Sequence, residues 1–386
     1  MKRTLVVLAA VATVIVLAIG LAFLLPATGA IYDFIILYSA SLGVIHRIPL
    51  YDNAAITALT IAKLSAPAGF SLFPYPYPPW YAVSTFYLGF LPLAVAATSW
   101  RLLNVAMLVA SIVLLTEAWQ PVWRILAALA GVLFVPSLGL LVVGQYSVPV
   151  LLGAAVFIYA VHHQDAPFTA IGLLLMTFKP HIGLFLFPAA FFWLTFQKAV
   201  FARRAIWLTL GGALVLFVLG FIADPGWPLT YLHSMISFSS IPSVANRNIS
   251  ASFPVLLMKL ITGQSGTIWV TVLSLVFAIG LAVLFWRWKV VTNVRLLITC
   301  CVLMTLLADP YLSNYDYVLL LLPLILLAEW GRSLAMRLAV VAIYLLPGIS
   351  LVLGRSGDIF YPLSAILLVL LILRNNPQAE PVLATA

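Results

Sequence analysis

Apolar runs follow one another along almost the whole chain, separated mostly by short polar breaks. They cover about 4–25, 78–97, 101–116, 125–143, 147–161, 167–178, 182–197, 205–223, 267–286, 296–308, 317–328, 338–353 and 360–373. The longer runs reach the roughly 20 residues with which a helix crosses a hydrocarbon core about 30 Å thick. The pattern predicts an all-α polytopic membrane protein. Two runs are irregular: 78–97 is rich in proline at its start, and 167–197 is interrupted at Lys179-Pro180-His181. One of the two is expected to be re-entrant or broken rather than a crossing. The first run is longer than the roughly 7–15 residues of a signal-peptide core, so a retained first helix is expected over a cleaved signal.

Composition supports a membrane location. Hydrophobic residues make up 65% of the 386 positions and charged residues 8%, against about a quarter charged in soluble domains. A water-facing surface cannot be built from so few charges. The balance of 19 Lys and Arg against 10 Asp and Glu gives +9. These cations are scattered over short loops, so they signal topology and not a nucleic-acid surface. Cationic loops at Lys198/Arg203/Arg204, Arg287/Lys289/Arg295 and Arg332/Arg337, with Arg374 near the end, fall inside by the positive-inside rule. With Lys2 and Arg3 also inside, the number of crossings is even, and about twelve are expected. One transmembrane domain would then cover 1–374, with both termini cytoplasmic and a short tail at 375–386. Cys300 and Cys301 are adjacent, which does not suit a disulfide between them.

Two outer loops, 27–77 and 224–266, are long. The acids Asp33, Asp52, Asp224, Asp309, Asp316 and Asp358 also map to the outer side. Within the first loop, 33–43 and 53–64 are apolar enough for short interfacial helices. Phe73-Pro74-Tyr75-Pro76-Tyr77-Pro78-Pro79-Trp80 then leads into the next run in an extended, aromatic-rich form. The loop can be an interfacial anchor or a lid over a membrane cavity. Asp33 lies between the first run and the first of these helices. It can cap that helix, or it can face a partly dry cavity where desolvation makes it a better base.

The order of motifs resembles a known family. Asp33 after the first run is followed by Gly43, Leu50-Tyr51, Tyr77-Pro78-Pro79, Pro92 and Trp100. Gly144-Gln145, Gly172, Lys179-Pro180, Asn248-Ile249-Ser250, Asp309-Pro310 and Tyr315-Asp316-Tyr317 come next. Over about residues 30–330 this is similar to the family 87 glycosyltransferases of the GT-C type, which include polyprenyl-phosphomannose-dependent mannosyltransferases. The resemblance implies an inverting transfer of a sugar, most simply mannose, from a polyprenyl-phosphate donor to a lipid or glycan acceptor hydroxyl on the outer face of a bacterial-type plasma membrane. It implies that Asp33 is the catalytic base. Where some members carry His in the last segment, this chain has Tyr315-Asp316-Tyr317.

A lipid phosphate leaves readily, so such a site needs a base for the acceptor proton and cations for the departing phosphate. His46 and Arg47 share the loop of Asp33 and are the first candidates for the donor phosphate. Lys179, an ionisable group between two apolar runs, is a functional candidate by its cost of burial. Gln145, Arg247, Asn248 and Asp316 complete the candidate substrate contacts, each with an ordinary loop or helix-contact role as its alternative. His162-His163 lacks a partner at metal spacing, and neither metal nor cofactor is assigned; the donor lipid is a substrate. The competing class is a membrane transporter or lipid-linked-saccharide flippase, for which paired halves and mid-span charges would be expected.

Overall fold

The computed structural model describes residues 32–65, 70–240, 250–263, 268–288, 293–331 and 333–375, with Gly20 and Val290. The predicted first run at 4–25, most of the tail 375–386, Lys289, Arg332, Arg247 and Asn248 lie outside the described residues. Among those described, every regular element is helical. Prolines and side-chain caps divide the apolar runs. Pro121, Pro136, Pro149, Pro167, Pro180 and Pro254 each stand in the first turn of a helix, where the missing N–H costs nothing. Asp52, Asp165, Asn293 and Ser333 each accept a backbone N–H at a helix start.

The helices in chain order are α1 (Tyr32–His46), α2 (Asn53–Leu64), α3 (Pro79–Ser84), α4 (Leu93–Leu115), α5 (Pro121–Leu133) and α6 (Val135–Val143). Then come α7 (Val148–His162), α8 (Ala166–Met176), α9 (Pro180–Thr195), α10 (Val200–Ala223), α11 (Trp227–Ser240) and α12 (Phe253–Thr262). The last are α13 (Ile268–Arg287), α14 (Val294–Ala308), α15 (Leu321–Trp330), α16 (Leu334–Leu345) and α17 (Phe360–Asn375).

Among the described residues, four helical runs are long and apolar enough to cross a membrane: α4, α10, α13 and the run 334–375. The pair α5–α6, bent by 55°, makes a fifth if taken as one span. This is the architecture of a helical membrane protein. Length alone does not show the expected twelve crossings among the described residues, where α1, α2, α7, α8, α9, α12 and α14 hold only 10–17 residues. The predicted run 78–97 is not one helix: α3 is six residues long, a 3₁₀ turn follows at Phe86–Phe90, and α4 starts at Leu93. The run 167–197 is broken at Thr177-Phe178-Lys179. The run 334–375 folds back on itself, with α16 packed on α17 and Gly354 in a left-handed conformation at the turn.

The core lies around α7, which is apolar on all sides and buried along almost its whole length, as a helix enclosed by others should be. Its hairpin partner α8 comes so close that a Cβ on Gly153 would meet the carbonyl oxygen of Gly172 at 2.7 Å; such small-residue contacts let membrane helices approach backbone to backbone. By contrast, only 17% of the apolar window of α10 and of α13 is buried, so these two form the periphery. Helices stand at both predicted sites in the first outer loop. However, α1 is packed into the body, with Phe34, Leu37 and Leu42 at most 2% exposed, and not laid on its surface.

Candidate active site

Helix α6 ends at Gly144, whose φ of 75° only glycine adopts without strain. The helix-ending carbonyls are met by long-range donors. Trp100 Nε1 donates to Gly144 O at 3.0 Å and Arg101 Nε to Leu141 O at 3.1 Å. A Cβ on Gly144 would lie 2.5 Å from Phe34 Cβ. The turn is therefore pressed directly against the first turn of α1, and this contact brings Asp33 to Gln145. The adjacent Tyr146 is wholly buried among Tyr77, Tyr81 and Trp100, and its hydroxyl donates to the backbone carbonyl of Asp33.

Gln145 joins two charged groups. Its Nε2 donates to Asp33 Oδ2 and to Tyr315 Oη, both at 2.8 Å. Its Oε1 accepts from Lys179 Nζ at 3.3 Å and from the Tyr146 N–H at 3.1 Å. An ammonium and a backbone amide can only donate, so the amide cannot be reversed. Burial raises the Asp33 pKa above the usual carboxylate range, although Gln145, Lys179 and Tyr315 pull it back.

Lys179 begins α9 and is 2% exposed. Its Nζ lies 2.5 Å from Asp316 Oδ1 and 3.1 Å from Ser147 Oγ, and 5.2 Å from the centre of the Tyr315 ring. Asp316 also takes the Ser147 hydroxyl at 2.5 Å and the Ser313 N–H at 3.0 Å, so one carboxylate caps the turn 314–320 and neutralises the lysine. Burial pushes the Asp316 pKa up, but the Lys179 ammonium and the hydrogen bonds outweigh it and hold the carboxyl below its ordinary value. Asp33 and Asp316 are thus shifted in opposite directions, the arrangement by which a site gives two carboxylates different work.

Both acids line a cavity of about 1110 Å³, together with Gln145, Lys179, His181 and Tyr315. Its lining also includes Tyr77, Val142, Phe238, Ile268, Arg355 and Asp358. Of the sequence candidates, the structure brings Asp33, Gln145, Lys179 and Asp316 together. It does not bring His46 and Arg47: they follow Asp33 by the length of α1, roughly 20 Å at 1.5 Å per residue, and both are exposed. Sequence proximity misleads here because a helix separates the two ends of the same loop. Sequence reasoning also missed Tyr146, Ser147 and Arg101, and it named Tyr315 within a motif without giving it a contact in the site. Tyr146 and Ser147 directly follow the Gly144-Gln145 motif, and Arg101, 2% exposed, is an ionisable residue in an apolar run. Those were the available signals. Among the described residues, no group of three or more His, Cys, Asp or Glu side chains could hold a metal ion.

A family model described as glycosyltransferase family 87 matches residues 75–310. The matched segment contains Gln145, Ser147 and Lys179, while Asp33 precedes it and Tyr315-Asp316 follow it. No curated protein matches the chain.

Proposed function

The chain belongs to glycosyltransferase family 87, and on that premise we propose that it moves a sugar, most simply mannose, from a polyprenyl-phosphate donor to a lipid or glycan hydroxyl. The observation that carries the reading is the Asp33 carboxylate, desolvated on the wall of a large cavity and oriented by Gln145. A base with a raised pKa is better matched to a hydroxyl proton near neutral pH. Asp33 takes the acceptor proton as the acceptor oxygen bonds to the anomeric carbon. The bond from that carbon to the phosphate oxygen breaks on the opposite side, the configuration inverts, and polyprenyl phosphate departs.

Lys179 and Asp316 are positioning residues in this scheme. Their pair fixes Gln145, and Gln145 fixes Asp33. We place the site on the outer face of a GT-C type protein in a bacterial-type plasma membrane, with about twelve crossings and cytoplasmic termini. The cationic loops support that orientation. The transporter reading is not favoured by the family membership.

The test is to incubate membranes containing the protein with labelled polyprenyl-phosphate mannose and mixed lipid and glycan acceptors. Transfer is expected with the native chain and should be lost in Asp33→Asn. Undiminished transfer in that variant would sink the base assignment, and no transfer from any polyprenyl-phosphate sugar would sink the reading.

A further inference from the structure

The cavity wall carries three basic side chains, Lys179, His181 and Arg355. Lys179 has no N–H to spare. An ammonium has three donors, and its three hydrogen-bond partners are Asp316, Ser147 and Gln145. Burial, with the Lys179 charge nearby, pushes the His181 pKa down to about 3, so its ring is neutral and offers a phosphate no charge. Arg355, by contrast, is exposed and offers a planar fork of donors suited to phosphate oxygens. Lys259, outside the lining, and Asp358, within it, lie close enough to feel its charge, so the surroundings of Arg355 hold two cations against one anion, a balance that favours an anionic ligand.

Part of the lining is apolar and open to the exterior. Ile268, at the start of α13, and Leu351, in the turn before Arg355, both line the cavity. They are nevertheless 75% and 73% exposed. Their chain neighbours Val352 and Trp269 are exposed apolar residues too, at 85% and 62%. A cavity whose apolar lining runs out onto an apolar exterior suits a ligand with a long hydrocarbon chain and an anionic head.

Resting on the donor class proposed above, we propose that the donor's isoprenoid chain enters between Ile268 and Leu351 and that Arg355 holds its phosphate. The sugar then projects inward toward Asp33, and Lys179 serves only to position Gln145. This assigns phosphate binding to the last helical hairpin, far in sequence from the base.

The experiment measures binding of polyprenyl monophosphate to the purified full-length protein in nanodiscs, alongside donor KM and kcat for transfer. Arg355→Ala should weaken binding at least tenfold and raise donor KM more than it lowers kcat. Arg355→Lys should recover part of the loss, because a point charge replaces a fork. Ile268→Asp and Leu351→Asp should weaken the polyprenyl ligand and leave a short-chain isoprenyl phosphate nearly unaffected. Inorganic phosphate should not displace the lipid at equal concentration.

Binding unchanged in Arg355→Ala would overturn the proposal, as would loss confined to Arg47→Ala or failure of the native protein to bind the lipid. Equal displacement by inorganic phosphate would overturn the role of the apolar doorway. If the native protein transfers sugar but Arg355→Ala leaves donor KM unchanged, the proposal falls and the enzymatic reading stands. If Arg355-dependent lipid binding is seen without transfer from any polyprenyl-phosphate sugar, the enzymatic reading falls and the site stands.

Discussion

Two stretches far apart in the chain each supply one carboxylate to the same cavity. At the start of α1, Asp33 is half-buried, with a neutral amide as its donor and the Lys179 cation one group removed. In the turn 314–320, Asp316 is buried in direct contact with Lys179, Ser147 and the Ser313 N–H. Burial alone raises a carboxyl pKa, and an adjacent cation with hydrogen-bond donors decides whether the charged form wins. Here the direct Lys179 contact and the donors win at Asp316, while burial wins at Asp33. The first acid is left reactive and the second is fixed as a counter-ion.

The comparison breaks most sharply at Asp33. Asp33→Asn should reduce transfer by roughly 10²–10⁴-fold, the usual contribution of a positioned base, yet leave thermal stability in detergent equal or higher. The reason is linkage: a folded-state pKa above the unfolded value means that stability falls as pH rises through the folded pKa. Removing the charge removes that decline. A stability loss as large as the activity loss would show that Asp33 serves the fold.

Asp316→Asn should do the reverse. It leaves the Lys179 ammonium buried without a counter-charge, which costs about 3–5 kcal/mol, read as a large drop in melting temperature. Replacing Lys179 with Met in the same chain should recover most of the stability and none of the transfer. In the native protein the Asp316 contribution is present above the unfolded carboxyl pKa and is lost as pH falls through its lowered folded value. The pH dependence of stability in the two single variants therefore separates the two acids.

Gly144→Ala tests the contact that holds the two regions together. The new methyl would need a left-handed backbone and would meet Phe34, a cost of about 1–3 kcal/mol by overpacking, with transfer lost as α1 shifts from Gln145. Trp100→Phe removes the bond to Gly144 O and leaves a gap where the buried indole packs on Tyr81 and Tyr146, and should cost about 1–3 kcal/mol. The smallest effect is a displacement. Gln145→Leu removes a donor that stabilises the Asp33 carboxylate, so the acidic limb of kcat/KM should move to higher pH, measured in whatever activity remains.

The same contrast explains what was legible in the sequence. Asp33, Gln145, Lys179 and Asp316 could be singled out because polar residues flanking apolar runs are costly and therefore few. Their partners could not. Gln145 reaches Asp33 across 112 positions and Tyr315 across 170, and nothing local to Ser147 or Tyr315 records such contacts. His46 and Arg47 were chosen for nearness along the chain, which α1 converts into distance. For the fold, the helices at 268–287 and 294–308 lie within about two residues of the runs read from hydropathy. The run 78–97, irregular by its prolines, is divided in the structure, and average hydropathy alone does not show that a new helix starts after Pro92. The two runs near the end, 338–353 and 360–373, are by contrast separated in the structure where the pattern breaks, at Gly354 and the turn that follows it.

The Lys179–Asp316 pair also constrains how the molecule is made. Its members are 137 residues apart, and at about 5–20 residues per second the second is synthesised roughly 7–27 s after the first. Throughout that interval a lysine destined for the interior has no native counter-ion. It must stay in water or against a chaperone while α9 is already threading. Closure of the site is therefore a late event in biogenesis, and variants that delay emergence of the 314–320 turn should yield protein that is inserted but susceptible to proteolysis.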